Sequence, residues 1–307
     1  MTRLAEGVRK LDDDEVQSKE LSATTSASPG ISSVQAEEWL ERVVLDAEPL
    51  RRLAEVSAEY DDIVNSGDKT LHIPKTNKSL EVAGTGVAEA ADRDFTEMDS
   101  LDAVEVEIRP EEDWYKGGIK ISKETVQTTA VDVMETARHH LAEQIAQDLD
   151  VALRDKIIDE TPVDNVVEPS SGELTPDAIA EAMEKIESND WEPFALVINS
   201  AQKKHLRTDS QFTNAAEYGS DQVVLNGEIG QYLGVRVMVS NNIQDEAIMV
   251  GRNRQGEDVG PAVVWKEMPN VEMEYELEDA THRFYYDQAF RPAVVHDTAL
   301  ATIDTSE

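Results

Sequence analysis

The chain has no cysteine, so disulfides and thiolate chemistry are excluded. No run of residues approaches the ~18 consecutive apolar residues of a membrane-spanning helix. The opening residues, Met1-Thr2-Arg3-Leu4-Ala5-Glu6, hold no apolar signal core. The expectation is a soluble chain with no cleaved signal and no membrane partner. Aromatic residues are few, at 5%. Positive charge is also in deficit: 28 Lys and Arg stand against 64 Asp and Glu, for a formal charge of −36. Sequence-specific reading of nucleic acid needs a basic footprint, which this composition does not supply.

Acid is what the chain has in excess, and it is spread along the whole length. Self-repulsion at this charge density is costly in dilute buffer. In molar salt the Debye length shrinks to about 3 Å and most of that cost disappears. Two readings compete: a protein adapted to concentrated salt, and an acidic protein that binds basic partners or cations. The even spread favours the first. With 307 residues the chain can bury a sizeable core, as one large domain or two of moderate size.

The stretch 122–160 organises the rest. It contains no Gly or Pro, and Val126, Ala130, Val133, Ala137, Leu141, Ile145, Leu149, Leu153 and Ile157 recur at spacings of three and four. That period predicts one uninterrupted helix, with Ser122 as its cap and Thr161-Pro162 as its stop. At ~1.5 Å per residue it would reach on the order of 55 Å, more than a compact domain of ordinary size needs.

Residues 1–35 are polar, with the acidic cluster Asp12, Asp13, Asp14 and Glu15, and read as an arm or linker. From Gln35 a helix is expected, broken near Pro49 and over by Ser66-Gly67. Leu71 to Pro74 and Val104 to Ile108 read as strands. The long region between them has almost no core of its own, so this excursion is expected to lie on another subunit. Trp114 to Gly118 reads as a turn with aromatic anchors, and 161–173 as a loop. Thr175-Pro176-Asp177 opens a second helix, with proline at its first position. Phe194 to Asn199 is a continuous apolar run, hence a buried strand. Ser200 is expected to cap a short helix to about Thr208, and 209–220 to be loop. Val235 to Ser240, Ala247 to Val250, Ala262 to Trp265, Val271 to Leu277, Thr281 to Tyr286 and Ala293 to Val295 all read as strands. Strands on both sides of the helices give the α+β class.

Candidate chemistry is thin. His139, His140 and Glu143 share a helix, but the order HHLAE is not the HExxH of a zinc peptidase, and a solvated face is the expectation. Asp92, Arg93, Asp94, Glu97 and Asp99 lack the glycine and spacing of a calcium loop. Gly84-Thr85-Gly86 and Gly227 with Gly230 lack the strand–loop–helix order of a phosphate site. Ser200 precedes Ala201, unlike a nucleophile elbow. His282 and His296, near Asp287 and Asp297, make no triad better than chance. No catalytic, cofactor-binding or metal-ligating residue is assigned, and no cofactor is expected.

Four stretches, taken in order, carry a resemblance. Val87-Ala88-Glu89-Ala90-Ala91, then Asp94-Phe95 and the Val104–Ile108 strand, is similar to an extended loop. Gly117 to Val126, with Ser122-Lys123-Glu124, resembles the lead-in to a spine helix. Ala142 to Asp150, with Ile145-Ala146-Gln147-Asp148-Leu149-Asp150, is similar to the later half of that helix. Phe194 to Ser240 follows a recurrent order: a strand ending in Asn199-Ser200, a short helix with Leu206, Leu225-Asn226-Gly227 to Val237, and a strand ending in Ser240. Together they resemble the major capsid protein of tailed viruses, of the Hong Kong 97 (HK-97) fold.

The resemblance covers most of residues 40–300 and implies the following. Residues 1–65 are an N-terminal arm with a helix, and 66–112 the extended loop over a neighbouring subunit. Residues 113–170 form a peripheral domain with the spine helix 122–160, 171–244 an axial domain, and 245–307 return strands mainly of the peripheral domain. The function implied is structural and non-enzymatic: self-assembly into homo-pentamers and homo-hexamers of an icosahedral shell. The shell encloses double-stranded DNA without sequence-specific binding, and portal and decoration proteins are its further partners. The chain would be assembled in the host cytoplasm and located in the virion. Charge adds the expectation of a haloarchaeal host. With Met1 present, no removed scaffolding region is expected. The family's Lys–Asn cross-link is not carried over, because Lys69, Lys75 and Lys78 have no matched Asn or acid catalyst. The alternatives are an encapsulin-type nanocompartment shell and, from another class, a halophilic cation-dependent enzyme.

Overall fold

The computed structural model describes residues 33–47, 50–64, 66–75, 103–128, 132–208, 231–232, 234–253 and 258–306. Five α-helices are described: α1 (Ser33–Ala47), α2 (Lys123–Thr128), α3 (Val133–Glu160), α4 (Pro176–Ser188) and α5 (Ser200–Thr208). Strands β1 to β4 are Ala58–Tyr60, Thr70–Pro74, Ala103–Glu107 and Trp114–Ser122. Strands β5 to β8 are Val166–Val167, Glu192–Ile198, Gln231–Tyr232 and Val235–Val239. Strands β9 to β12 are Glu246–Arg252, Pro261–Glu276, Thr281–Val294 and Leu300–Asp304. The described residues divide into two compact units. One draws on the described residues within Met1–Pro49, Lys116–Ile145 and Pro269–Asp287, the other on those within Leu50–Tyr115, Ala146–Met268 and Gln288–Glu307.

In the second unit a six-stranded sheet has the order β5-β12-β9-β6-β8-β7. Side chains alternate across it. Leu196, Ile198, Ala247, Met249, Ala301 and Ile303 point to one face, where they pack with Ile179, Ala182 and Ile186 of α4 and Leu206 of α5. Ala195, Val197, Ile248 and Val250 point to the other, against Leu149, Leu153 and Ile157 of α3 and the rings of Trp265 and Phe290. Both faces of β6 and β9 are therefore covered, which is why the Phe194–Asn199 run is apolar without alternation. β6 pairs parallel with β8 and antiparallel with β9.

The first unit is built on α1, α2, the first half of α3 and parts of β4, β10 and β11. Val43 and Ala47 of α1 pack with Ala137, Leu141 and Ile145 of α3 and with Phe284 and Tyr286 of β11. Trp39 lies 4.6 Å from the Phe284 ring, and Arg138 Nε is 3.3 Å from Asp46.

Several expectations change. The stretch 122–160 is not one helix. Ser122 does cap a first turn, accepting from Thr125 N–H at 3.1 Å, but α2 is described only to Thr128. A new helix starts after Asp132, whose carboxylate accepts from the N–H groups of Met134 and Glu135 at 3.1 and 3.2 Å. An Asp in that role satisfies orphan donors and marks a helix start. Ala130 lies outside the described residues. The apolar residues of α3 recur at every fourth position, Ala137 to Ile157, and all are buried. A four-residue step overshoots a turn by about 40°, so this seam winds round the helix instead of keeping one face.

Trp114–Gly118 is strand, not turn. Its glycines serve close approach: a Cβ on Gly117 would stand 2.4 Å from the Tyr286 ring, and one on Gly118 2.6 Å from the Phe284 carbonyl oxygen. The four separate segments expected between Ala262 and Val295 are two long strands, β10 and β11, that continue through Pro269 and Pro292. The cap of α5 is Asn199, not Ser200. Asn199 Oδ1 accepts from Gln202 N–H at 2.7 Å, and Gln202 Oε1 accepts from Asn199 N–H at 2.9 Å, a reciprocal capping box. The expected helix after Gln35 ends at Ala47, and β1 pairs parallel with β10 instead. β5 lies inside the expected 161–173 loop and pairs parallel with β12.

The excursion is a two-stranded antiparallel sheet, β2 with β3. Its base has a core on its own chain: Ile73, Val106 and Ile108 are buried with Ala262, Val264, Ala293 and Val295. The lack of core expected of it does not hold at the base. Residues 76–102, with Gly84-Thr85-Gly86, Lys78 and the acidic run Asp92 to Asp99, lie outside the described residues, as do 209–230, with Gly227 and Gly230.

Candidate functional site

The weighed candidates stand apart from one another in the fold. His139 and His140 are exposed on α3. His139 Nε2 is 3.5 Å from Glu135 and His140 Nδ1 is 3.4 Å from Glu143, so each histidine faces an acid on its own helix. Among the described residues no three His, Asp or Glu side chains gather as a metal ion requires. His282 is buried beside the Tyr275 ring at 5.0 Å, and His296 beside Trp191 at 4.8 Å. Burial, and then the charge of Lys123, hold the His282 imidazole below its ordinary pKa, which keeps it neutral. Both histidines pack against aromatic rings. Ser200 Oγ donates to Asn241 Oδ1 at 2.5 Å and has no histidine partner among the described residues. Lys75 Nζ lies 3.7 Å from Asp297.

A buried carboxylate that no motif singled out as a site joins three parts of the second unit. Asp150 of α3 is fully buried. Its oxygens accept from the backbone N–H groups of Arg52 and Leu53 at 3.2 and 3.0 Å, from Asn242 Nδ2 at 3.2 Å and from Ser240 Oγ at 3.4 Å. Burial raises its pKa, opposed by these hydrogen bonds. The group thus fastens the segment after α1 and the end of β8 to α3. Arg154, one turn on, donates to the Asn242 carbonyl at 2.8 Å. Asp150 and Ser240 are the closing residues of two stretches that carried the sequence resemblance, and the fold brings them together.

The excursion is pinned at both legs. On the outgoing leg, Lys266 Nζ donates to the carbonyls of Ile63, Ser66 and Asp68 at 3.1, 2.6 and 2.8 Å. On the returning leg, Asp113 is buried, accepts from Arg109 N–H at 2.6 Å and pairs with Arg291 at 3.0 Å. Between β3, the last turn of α3 and β11 lies an open cleft of about 370 Å³ lined by Glu105, Glu107, Arg109, Lys156, Glu160 and Arg291. Charge of both signs lines it. What the geometry offers is anchoring and surface.

The family comparison agrees. Residues 105–303 match the phage capsid protein family, well over half of the chain. The chain belongs to the phage capsid protein family. No curated protein matches it. Among solved structures, one of Mycobacterium phage Che8 is similar with a TM-score of 0.53 and 20% identity, over 78% of this chain and 85% of that one. The virus-like particle of Pyrococcus furiosus gives 0.54 and 13%, over 87% and 98%. The SrpI encapsulin of Synechococcus elongatus gives 0.55 and 12%, over 97% and 96%. At these identities the likeness is one of fold, and the fold is the Hong Kong 97 type in an α+β chain. This phage capsid protein is a structural shell protein and not an enzyme, a component of the virion that assembles with copies of itself.

Proposed function

We propose that this chain is the major capsid protein of a tailed virus of an extremely halophilic, archaeal host. It forms homo-pentamers and homo-hexamers that close an icosahedral shell round packaged double-stranded DNA. The capsid family match over residues 105–303 carries this reading. The charge of −36 carries the host: hundreds of such subunits repel one another in dilute buffer, and molar salt screens them. In this reading residues 1–65 are an arm across a neighbour and 66–112 an extended loop on the adjacent subunit. Residues 113–170 and 245–307 form the peripheral domain, and 171–244 the axial domain round the capsomer centre. Many overlapping contacts acting together stabilise the shell. A portal and decoration proteins complete the particle, which is assembled in the host cytoplasm.

One observation favours a second reading. The encapsulin likeness spans nearly all of both chains, so a nanocompartment shell around protein cargo fits the same fold. Particles purified in molar salt separate the two. Nuclease-protected double-stranded DNA is expected, and particles that carry only protein cargo overturn the viral reading. On dialysis into low salt the particles are expected to fall apart by light scattering. Retention of their size contradicts the salt adaptation.

A further inference from the structure

Two helices on one face of the six-stranded sheet have opposite charge. α5, Ser-Ala-Gln-Lys-Lys-His-Leu-Arg-Thr, contains no acid and carries Lys203, Lys204 and Arg207. In a chain with 28 basic residues against 64 acidic ones, that concentration is out of keeping with the rest. Leu206 and Gln202 of α5 are buried, while Lys204 and Arg207 are exposed and Lys203 half-exposed. The basic side chains therefore lie away from the core. Among the described residues neither Lys203 nor Lys204 has an ion-pair partner. α4 buries Ala178, Ile179, Ala182 and Ile186 in the same core cluster as Leu206. Its outer side presents Asp177, Glu181, Glu184 and Glu187, all exposed. Lys185, its one base, is engaged by the Asp164 carbonyl at 2.7 Å and lies 3.8 Å from Glu181. Asp177, Glu184 and Glu187 have no ion pair among the described residues.

We propose that the basic face of α5 in one copy docks on the acidic face of α4 in the next, head to tail around a capsomer. The inference rests on the shell-forming reading above. A second copy is the occupant because its own α4 supplies the complementary acidic surface, and close contact between opposite charges survives a short Debye length that screens long-range attraction. A surface that meets a different surface on its neighbour makes a heterologous contact, and such contacts close into rings when the rotation allows. Charges of opposite sign at the contact also fix the register and reject wrong pairings.

The test uses two double variants of the full chain, K203E/K204E and E184K/E187K, in the salt in which the wild type assembles. All four side chains lie on the outer sides of their helices, so thermal melts are expected to match the wild type. K203Q/K204Q provides a milder variant should the reversal disturb folding. Each reversed variant alone is expected to lose assembly, with each contact weakened roughly tenfold. Mixing the two is expected to restore six-membered capsomers, because acidic α5 then meets basic α4 between neighbours. Wild-type-like assembly of either variant, failure of the mixture to recover rings, or intact shells that lose only their DNA each overturn the inference. If the wild type itself forms no shells, the capsid reading fails instead.

Discussion

The six-stranded sheet and the β2–β3 excursion are both sheets of the same unit, and they are sealed in different ways. β6 and β9 are covered on both faces, by α4 and α5 on one and α3 on the other. The excursion alternates and buries only one row at its base, Ile73 and Val106, against β10 and β11. What holds its legs is polar: the three carbonyls round Lys266 and the Asp113–Arg291 pair. The difference teaches a division of labour. The doubly covered sheet specifies the subunit fold. The legs of the excursion are held by a few hydrogen bonds and one small apolar base, so local opening at a free energy below that of global unfolding is expected.

The largest effect is expected from a charge in a sealed core, here the α3 packing of the first unit. Ile145→Asp in α3 places an unpaired carboxylate at a fully buried position, costing several kcal/mol, on the order of 4 or more. Loss of folding is expected in circular dichroism, and soluble folded capsomers from this variant contradict the placement of the helix. Next in size is Asp150→Asn. All four partners of Asp150 are donors, so an amide NH2 there opposes a donor, at about 1–3 kcal/mol. A pH signature accompanies it. Because burial raises the Asp150 pKa in the folded state, the extra stability that its protonation adds is fully present below the ordinary carboxylate pKa. It is lost as pH rises through the raised value. Above the ordinary carboxylate pKa the gap between wild-type and variant melts is expected to narrow, without closing, as pH rises, and a gap independent of pH argues against the raised pKa.

Lys266→Met sharpens the other side of the comparison. Global melting is expected to fall by only about 1–2 kcal/mol. Hydrogen exchange in β2 and β3 is expected to speed up far more than in β6 and β9. Equal acceleration in all four strands contradicts local opening. The smallest effect is expected from His139→Gln, an exposed position. A change within about 0.5 kcal/mol and unaltered assembly fit a solvated helix face. Loss of a bound metal or of assembly contradicts it.

Much of this architecture was legible in the sequence, and the misses share causes. Thr175-Pro176 announced α4, and the structure has Thr175 accepting from Ala178 N–H at 3.2 Å. The Phe194–Asn199 run announced the centre of the sheet. Gly117-Gly118 misled because a glycine needed for close approach looks the same as a turn glycine until its neighbour is known. Pro269 and Pro292 misled because long strands can run through proline where no ladder bond is required. Asp132 misled because an aspartate inside a helical pattern reads as a surface residue when it is a cap. Asp150 could not be singled out among 64 acids. Its burial depends on Leu53 and Ser240, each about 90 or more residues away along the chain.

The central claim is that this subunit exists to build a closed shell, and electron microscopy of the purified protein in molar salt tests it most directly. The account predicts icosahedral particles of uniform size. A field of small discrete oligomers, with no shells at any salt concentration, would contradict it.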